Sequence, residues 1–156
     1  DTFPLLFYRE NCADMALDAS LIEEEFIARC RALLITGTHL SAPTVRAASL
    51  QALAHAAKHD VLRVLDIDYR PNLWGLAGLG AGEERYIRSD RVSAHLKTIL
   101  PDCDLIVGTE EEFHIAAGSE DTLEALKIIR ASPMNFLLWS SIMEPLFHGK
   151  IQLQKF

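Results

Sequence analysis

The run VLRVLDIDYRPNLWG, residues 61–75, joins an apolar segment directly to residues that could bind a polar ligand. Its first half predicts a buried parallel strand. Asp66 and Asp68 lie two positions apart, so their carboxylates are expected on one face of that strand, with Arg70 just beyond. Pro71 then ends sheet pairing and starts a turn. Because α/β sheets bind ligands at the carboxyl ends of their strands, a binding site is favoured here over a solvated strand end.

Three consecutive carboxylates follow a second apolar run, which spans residues 104–107. Glu110, Glu111 and Glu112 stand where a helix should begin, and acidic residues in a first turn stabilise a helix through its macrodipole. Carboxylates at the end of a strand also suit a hydrated Mg²⁺, which takes one or two of them together with phosphate oxygens. Both interpretations remain open from the residues alone.

A Tyr-Arg pair near the start is the other candidate for ligand binding. Arg9 follows Tyr8, and with Arg70 it could hold a carboxylate, because guanidinium groups match carboxylates in bidentate geometry. For Arg9 alone, an ordinary surface position is the favoured interpretation.

Three weaker patterns favour plain structural roles. Gly37 follows an apolar run without the lysine of a phosphate loop, so it predicts a strand-to-helix turn. The glycine-rich run GLAGLGAGEER, residues 75–85, predicts a loop that could act as a lid. His55 and His59 have the spacing of two metal ligands on a helix, but no third ligand is evident, which favours a solvated face.

Composition sets the broad class of the protein. The 156 residues are 49% hydrophobic and 24% charged, which is ordinary for one globular domain, and no run is long and apolar enough for a transmembrane helix. The net charge of −7, with dispersed basic residues, argues against nucleic acid but not against a small anionic substrate. Three cysteines without a C-x-x-C pair predict free thiols of a reducing compartment, so the cytoplasm is expected. The abrupt start at Asp1 suggests a fragment.

Strand and helix patterns alternate along most of the chain, which predicts a doubly wound α/β fold: a mostly parallel sheet with helices on both faces. The predicted strands are 32–35, 61–67 and 104–107, and the predicted helices are 44–59, 90–99, 110–117 and 122–131. Ser20 and Glu23 predict a capping box for a helix whose apolar stripe, including Phe26, packs on the sheet. Ser119 is predicted to cap the last helix.

The last 25 residues lack this rhythm, so we predict a boundary between an α/β piece, 1–131, which is only the central part of a larger domain, and a divergent C-terminal tail, 132–156. Residues 136–139 could form a further strand, and residues 146–156 could form a hairpin.

Four segments together resemble the ribokinase-like (PfkB-type) sugar kinases: FYRENCADMAL, LLITGTHLS, LDIDYRPNLWG and DLIVGTEEEFHIAAG. The resemblance covers about residues 5–131, with the segments in the family's order and spacing. It implies an incomplete ribokinase-like fold, with ATP and Mg²⁺ as cofactors and a sugar substrate. Within the family, the chain is most similar to the enzymes of inositol catabolism that act on 5-dehydro-2-deoxygluconate, a deoxy-keto sugar acid.

The resemblance assigns roles to individual residues. The substrate-binding positions of the family fall on Tyr8, Arg9, Asp68 and Arg70. The family's N-x-x-E motif, tied to Mg²⁺ and phosphate, falls on Thr109 and Glu112. Glu112 is thereby implied at the metal and Thr109 at the phosphate, although Thr109 is not the family's asparagine, which weakens its assignment.

The family's catalytic Gly-Ala-Gly-Asp motif does not occur in this sequence, so the resemblance implies no catalytic base here and predicts an inactive chain. Two alternatives stay open: a kinase for 2-keto-3-deoxygluconate, or a non-catalytic α/β remnant that binds a ligand or a partner. The expected partners are a sugar acid and a nucleotide, with no nucleic acid and no membrane, and the resemblance is compatible with a homo-oligomer.

Overall fold

The protein is described by a computed structural model that covers residues 11–77 and 86–130, together with the backbone of residues 136–140 and 152–154. Its centre is a sheet of five strands, which are β1 Ala32–Thr36, β2 Leu62–Asp66, β3 Leu105–Thr109, β4 Phe136–Ser140 and β5 Gln152–Gln154. They lie side by side in chain order. The first four are parallel, and β5 pairs antiparallel to β4.

Six α-helices lie in the described residues, namely α1 Glu24–Ala28, α2 Gly37–Leu40, α3 Pro43–Lys58, α4 Asp90–Lys97, α5 Glu110–Ala117 and α6 Thr122–Ile129. Pro43 stands at the first position of α3, where a missing N–H leaves no hydrogen bond unmade. Each predicted strand and helix of residues 32–131 is therefore present, with ends that differ by at most two residues. None of the helices in the described part of the chain is long and apolar enough to cross a membrane.

The main core lies between the sheet and the helices that connect its strands. Ile35, Leu65 and Ile106 are in register across β1 to β3, and all three are buried in one cluster with side chains of α3 to α6. The opposite face of β1 and β2 is more open, with Leu34 60% and Leu62 46% exposed. A chain order of 1-2-3-4 with right-handed crossovers places all connecting helices on one face, so the described helices cover that face alone.

The predicted capping box at Ser20 is wrong. Ser20 lies in a 3₁₀ turn, where its backbone N–H and hydroxyl both donate to the carboxylate of Asp18, and α1 begins only at Glu24. A short polar side chain two residues upstream competes successfully for the same backbone group. The helix packs on α3 through Ile27, whereas Phe26 is 59% exposed. Only some residues of the predicted apolar stripe are therefore packed in a core.

The predicted strand at residues 136–139 is confirmed as β4, which adds in parallel to β3. The hairpin predicted for 146–156 lies mostly outside the described residues, and its described part, β5, pairs with β4. The boundary predicted at residue 131 remains a prediction, although strands from both sides of it share one sheet.

Candidate functional site at the carboxyl ends of three strands

The carboxyl ends of β1, β2 and β3 come together at one edge of the sheet. Gly37 follows β1, the run Asp68–Arg70 follows β2, Thr109 is the last residue of β3, and Glu112 lies in the first turn of α5. Gly37 lies directly against the carbonyl oxygen of Ile67, so close that any Cβ at this position would clash with backbone. The sequence predicted a plain turn at Gly37, and the structure adds a reason for glycine: the end of β2 packs against it.

The backbone changes conformation sharply after Ile67. The Ile67 N–H still donates to the carbonyl of Val107 in β3, at 2.9 Å, but Asp68 has a φ of 33°. The extended conformation therefore ends before Asp68, so the strand rule used to predict a common face for Asp66 and Asp68 does not reach Asp68. A non-glycine residue in such a sparsely populated region costs on the order of 1–3 kcal/mol and needs surrounding contacts to hold it.

Asp68 and Arg70 form an ion pair within this turn. The guanidinium Nη2 of Arg70 lies 2.6 Å from Oδ1 of Asp68, and its Nη1 donates to the carbonyl of Tyr69 at 2.9 Å. Both side chains are about one quarter exposed, so a ligand can reach them. The structure therefore brings together the two described substrate positions that the resemblance implied.

Tyr69, between them, is anchored in the core. Its side chain is 1% exposed, and its hydroxyl donates to the carbonyl of Ile87 at 2.6 Å. Burial raises the pKa of the Tyr69 hydroxyl to about 12, which keeps it a neutral hydrogen-bond donor. The buried and hydrogen-bonded side chain of Tyr69 thus holds the backbone between Asp68 and Arg70 in place.

Glu112 connects the turn after β2 to the end of β3. Its carboxylate Oε1 accepts the N–H of Tyr69 at 2.9 Å, and its Oε2 accepts the N–H of Thr109 at 2.8 Å. The residue is only 6% exposed, and the guanidinium of Arg70 lies 4.0 Å from Oε1. A buried carboxylate with both oxygens satisfied by backbone amides is a structural link as well as a candidate for binding.

Thr109 and Glu112 also form the capping box of α5. The hydroxyl of Thr109 accepts the N–H of Glu112 at 3.3 Å, which completes the reciprocal pair. The glutamate run thus contains a helix cap, as the sequence allowed. The role of Thr109 at a phosphate remains a prediction.

A desolvated carboxylate stands at the last position of β2. Burial raises the pKa of Asp66, and the negative charge of Asp68 raises it further. Raised carboxylate pKa values in a polar cluster are typical of ligand sites, although structural clusters show them too.

Several predicted features lie elsewhere. Tyr8 and Arg9 lie outside the described residues, as do residues 78–85 of the glycine-rich run. His55 and His59 both face the carboxylate of Glu24, with His59 Nε2 2.7 Å from Oε1, on the outer side of α3. In residues 11–77 and 86–130 no group of three or more His, Cys, Asp or Glu side chains is arranged to hold a metal ion.

Whether Mg²⁺ can bind at this edge of the sheet depends on Glu112, the carboxylate that the resemblance implies at the metal. Direct chelation would compete with both amide hydrogen bonds of its carboxylate, whereas a water of the hydrated ion could approach an oxygen without breaking them. The residues present therefore fit Mg²⁺ through water. When bound, the ion would neutralise charge on the phosphates of a nucleotide.

Sequence comparison matches the chain to part of several proteins named 5-dehydro-2-deoxygluconokinase. It is 32% identical over 111 residues to the 5-dehydro-2-deoxygluconokinase of Bacillus subtilis, a match that covers 71% of this chain and 30% of the relative. The proteins of the same name from Geobacillus kaustophilus and Bacillus anthracis are 35% and 37% identical over 70% of this chain. No family model matches the chain.

The fold is that of PfkB-type kinases. A fructokinase with bound ATP from Xylella fastidiosa superimposes with a TM-score of 0.69 at 13% identity, covering 92% of this chain and 44% of that protein. A PfkB protein from Polaromonas sp. JS666 superimposes with a TM-score of 0.65 at 16% identity, covering 82% of this chain and 40% of that protein.

The chain thus has a partial ribokinase-like fold, and the resemblance to the ribokinase-like (PfkB-type) family is confirmed. Its named homologues are 5-dehydro-2-deoxygluconokinases. The chain spans about 30% of the length of these curated relatives.

Proposed function

We propose that this chain is the segment of a carbohydrate kinase that binds the sugar acid, within an enzyme that transfers the γ-phosphate of ATP to a deoxy-keto sugar acid. The proposed substrate is 5-dehydro-2-deoxygluconate, in inositol catabolism. The proposed substrate-binding residues are Asp68 and Arg70, with Tyr8 and Arg9 from outside the described residues. The name shared by the relatives supports this substrate over 2-keto-3-deoxygluconate.

The observation that carries the proposal is the placement of Arg70. It lies at the carboxyl end of a central parallel strand, partly exposed, beside an anchored tyrosine and 2.6 Å from Asp68. Guanidinium groups bind carboxylates in bidentate geometry, and the hydroxyls of a sugar suit the carboxylate of Asp68. A sugar acid offers both partners in one molecule.

We expect the chain alone to show no turnover, because the family's base motif does not occur in its sequence. Removing a general base typically slows a reaction by about 10²–10⁴-fold, and removing an oxyanion site by about 10²–10³-fold. An ADP-release assay with 5-dehydro-2-deoxygluconate, ATP and Mg²⁺ tests this. Turnover at more than a trace would mean that the catalytic groups lie within these 156 residues.

A binding experiment tests the proposed substrate separately from turnover. Isothermal titration of the chain with 5-dehydro-2-deoxygluconate should show saturable binding, and ATP should not compete for that site. A chain that binds neither ligand would support the alternative, a non-catalytic remnant with an interaction role only.

A further inference from the structure

Glu112 holds a position that its implied role at Mg²⁺ does not explain. A direct ligand of the ion would need an accessible oxygen without other partners, but this carboxylate is buried and each oxygen already accepts a backbone N–H. The two amides belong to Tyr69 and Thr109, which follow or end different strands. The side chain therefore ties the end of β2 to the end of β3.

The hydrogen bond between Glu112 and the amide of Tyr69 lies next to a residue with a strained backbone, Asp68. Asp68 has a positive φ, and the amide held by Glu112 is that of the next residue, Tyr69. The hydroxyl of Tyr69 is fixed at its far end to Ile87. Tyr69 is thus hydrogen-bonded at both its backbone amide and its hydroxyl, and Arg70 is the next residue along the chain.

Charge adds to this effect. The guanidinium of Arg70 lies between two carboxylates, 2.6 Å from Asp68 and 4.0 Å from Glu112. The nearer carboxylate forms the ion pair, while the farther one attracts the guanidinium without a direct hydrogen bond. Glu112 thus influences both the backbone that carries Arg70 and the position of its charged group.

We infer that Glu112 is a positioning residue that sets the conformation of the Asp68–Arg70 turn, and hence the affinity for the carboxylate of the substrate, independently of any metal. This inference rests on the proposed function for the identity of the ligand. It predicts that Glu112 matters for the sugar acid even when no Mg²⁺ and no nucleotide is present.

The test compares Glu112→Gln with Glu111→Gln, a neighbouring glutamate in the same helical turn that makes neither of the two amide contacts. The glutamine of the first variant can accept one amide with its oxygen, but its NH₂ group then faces the second amide, donor against donor. Amide exchange measured by NMR should become at least about tenfold faster at Tyr69 or Thr109 in Glu112→Gln. Exchange at Leu65 and Ile106 should not change, which would show that the sheet remains folded.

Titration with 5-dehydro-2-deoxygluconate supplies the second readout. Glu112→Gln should weaken binding by about tenfold, equally with and without Mg²⁺, and Glu111→Gln should bind as the unaltered chain does. A loss that appears only when Mg²⁺ and ATP are present would overturn the inference in favour of a metal role.

The two claims can fail separately. If the unaltered chain does not bind the sugar acid, the proposed substrate is refuted, and the exchange rates still decide whether Glu112 holds the turn. Unchanged exchange at both amides in Glu112→Gln would overturn the positioning role whatever the chain binds.

Discussion

The contact between Gly37 and the end of β2 gives a prediction whose size can be worked out from the structure. In Gly37→Ala the new Cβ would collide with the carbonyl oxygen of Ile67, and it would stand 3.0 Å from the carbonyl carbon and 3.6 Å from the Cα. All three atoms are backbone, so no side-chain rotation can relieve the clash. The end of β2 must move away from the end of β1.

Overpacking of this kind typically costs about 1–3 kcal/mol. Replacing glycine by alanine at an ordinary φ also restricts the unfolded chain, which raises the free energy of unfolding by about 0.4–1 kcal/mol. We therefore expect Gly37→Ala to lower the free energy of unfolding by about 1–2 kcal/mol, as the difference between these two effects. Because the displaced segment leads into Asp68 and Arg70, binding of the sugar acid should weaken as well.

Urea denaturation followed by circular dichroism measures the change, with Gly75→Ala as the matched control. Gly75 has a φ of 70° and nothing within 4 Å of the added Cβ. That variant should lose about 1 kcal/mol through backbone strain alone and should keep its affinity for the sugar acid. A Gly37→Ala chain as stable as the unaltered one would refute the close packing of the two strand ends.

Three further predictions concern titratable groups. Asp104→Asn should lose about 1.5–3 kcal/mol at pH 7, because the carboxylate accepts two hydrogen bonds from the Arg63 side chain and one from its N–H. Hydrogen bonds from Arg63 lower the pKa of Asp104 below its ordinary value of 3.8, so the ionised carboxylate stabilises the folded chain above that pH. Chemical denaturation should therefore show that the free energies of unfolding of the unaltered chain and Asp104→Asn approach each other as the pH falls through the lowered pKa. Burial raises the pKa of Asp66, which means that its charged form destabilises the folded chain, so Asp66→Asn should raise the urea midpoint at pH 7. This increase should vanish in acid, where the carboxyl group of the unaltered chain is protonated. Burial raises the pKa of Cys103 to about 12, so mass spectrometry after iodoacetamide treatment of the folded chain at pH 8 should find Cys12 modified and Cys103 not.

The alternation of strands and helices could be predicted because local patterns and their order agree. The runs 32–35, 61–67 and 104–107 are apolar and separated by helical segments, and right-handed crossovers then leave few arrangements. Because α/β sheets bind ligands at the carboxyl ends of their strands, the sequence alone predicts that Asp68, Arg70 and Glu112 lie at one edge of the sheet. That part of the candidate site needed only the sequence.

Local contacts among similar polar groups could not be predicted. Ser119 was expected to cap the last helix, but Asp121 does so, accepting the N–H of Glu124 at 2.8 Å, while the hydroxyl of Ser119 donates to the carboxylate of Glu124. Both residues are good caps, and the choice depends on where the turn after α5 ends. A two-residue difference in where α6 begins decides between them.

The double link made by Glu112 was also missed. The T-x-x-E pattern from Thr109 predicts the capping half of it, and this signal was present in the sequence. The other half, to the N–H of Tyr69, joins residues 43 apart, and it depends on the positive φ of Asp68. Aspartate tolerates such a backbone better than most residues do, but nothing local to Asp68 demands it.

The proposed contact between Arg70 and the carboxylate of a sugar acid can be tested by a binding measurement alone. Isothermal titration would compare 5-dehydro-2-deoxygluconate with a neutral analogue in which the carboxylate is reduced to an alcohol, for the unaltered chain and for Arg70→Ala. We expect the unaltered chain to prefer the acid by about 1.5–3 kcal/mol, and Arg70→Ala to lose this preference while still binding the neutral analogue. An equal loss of affinity for both ligands would contradict the claim, because Arg70 would then support the turn without contacting the carboxylate.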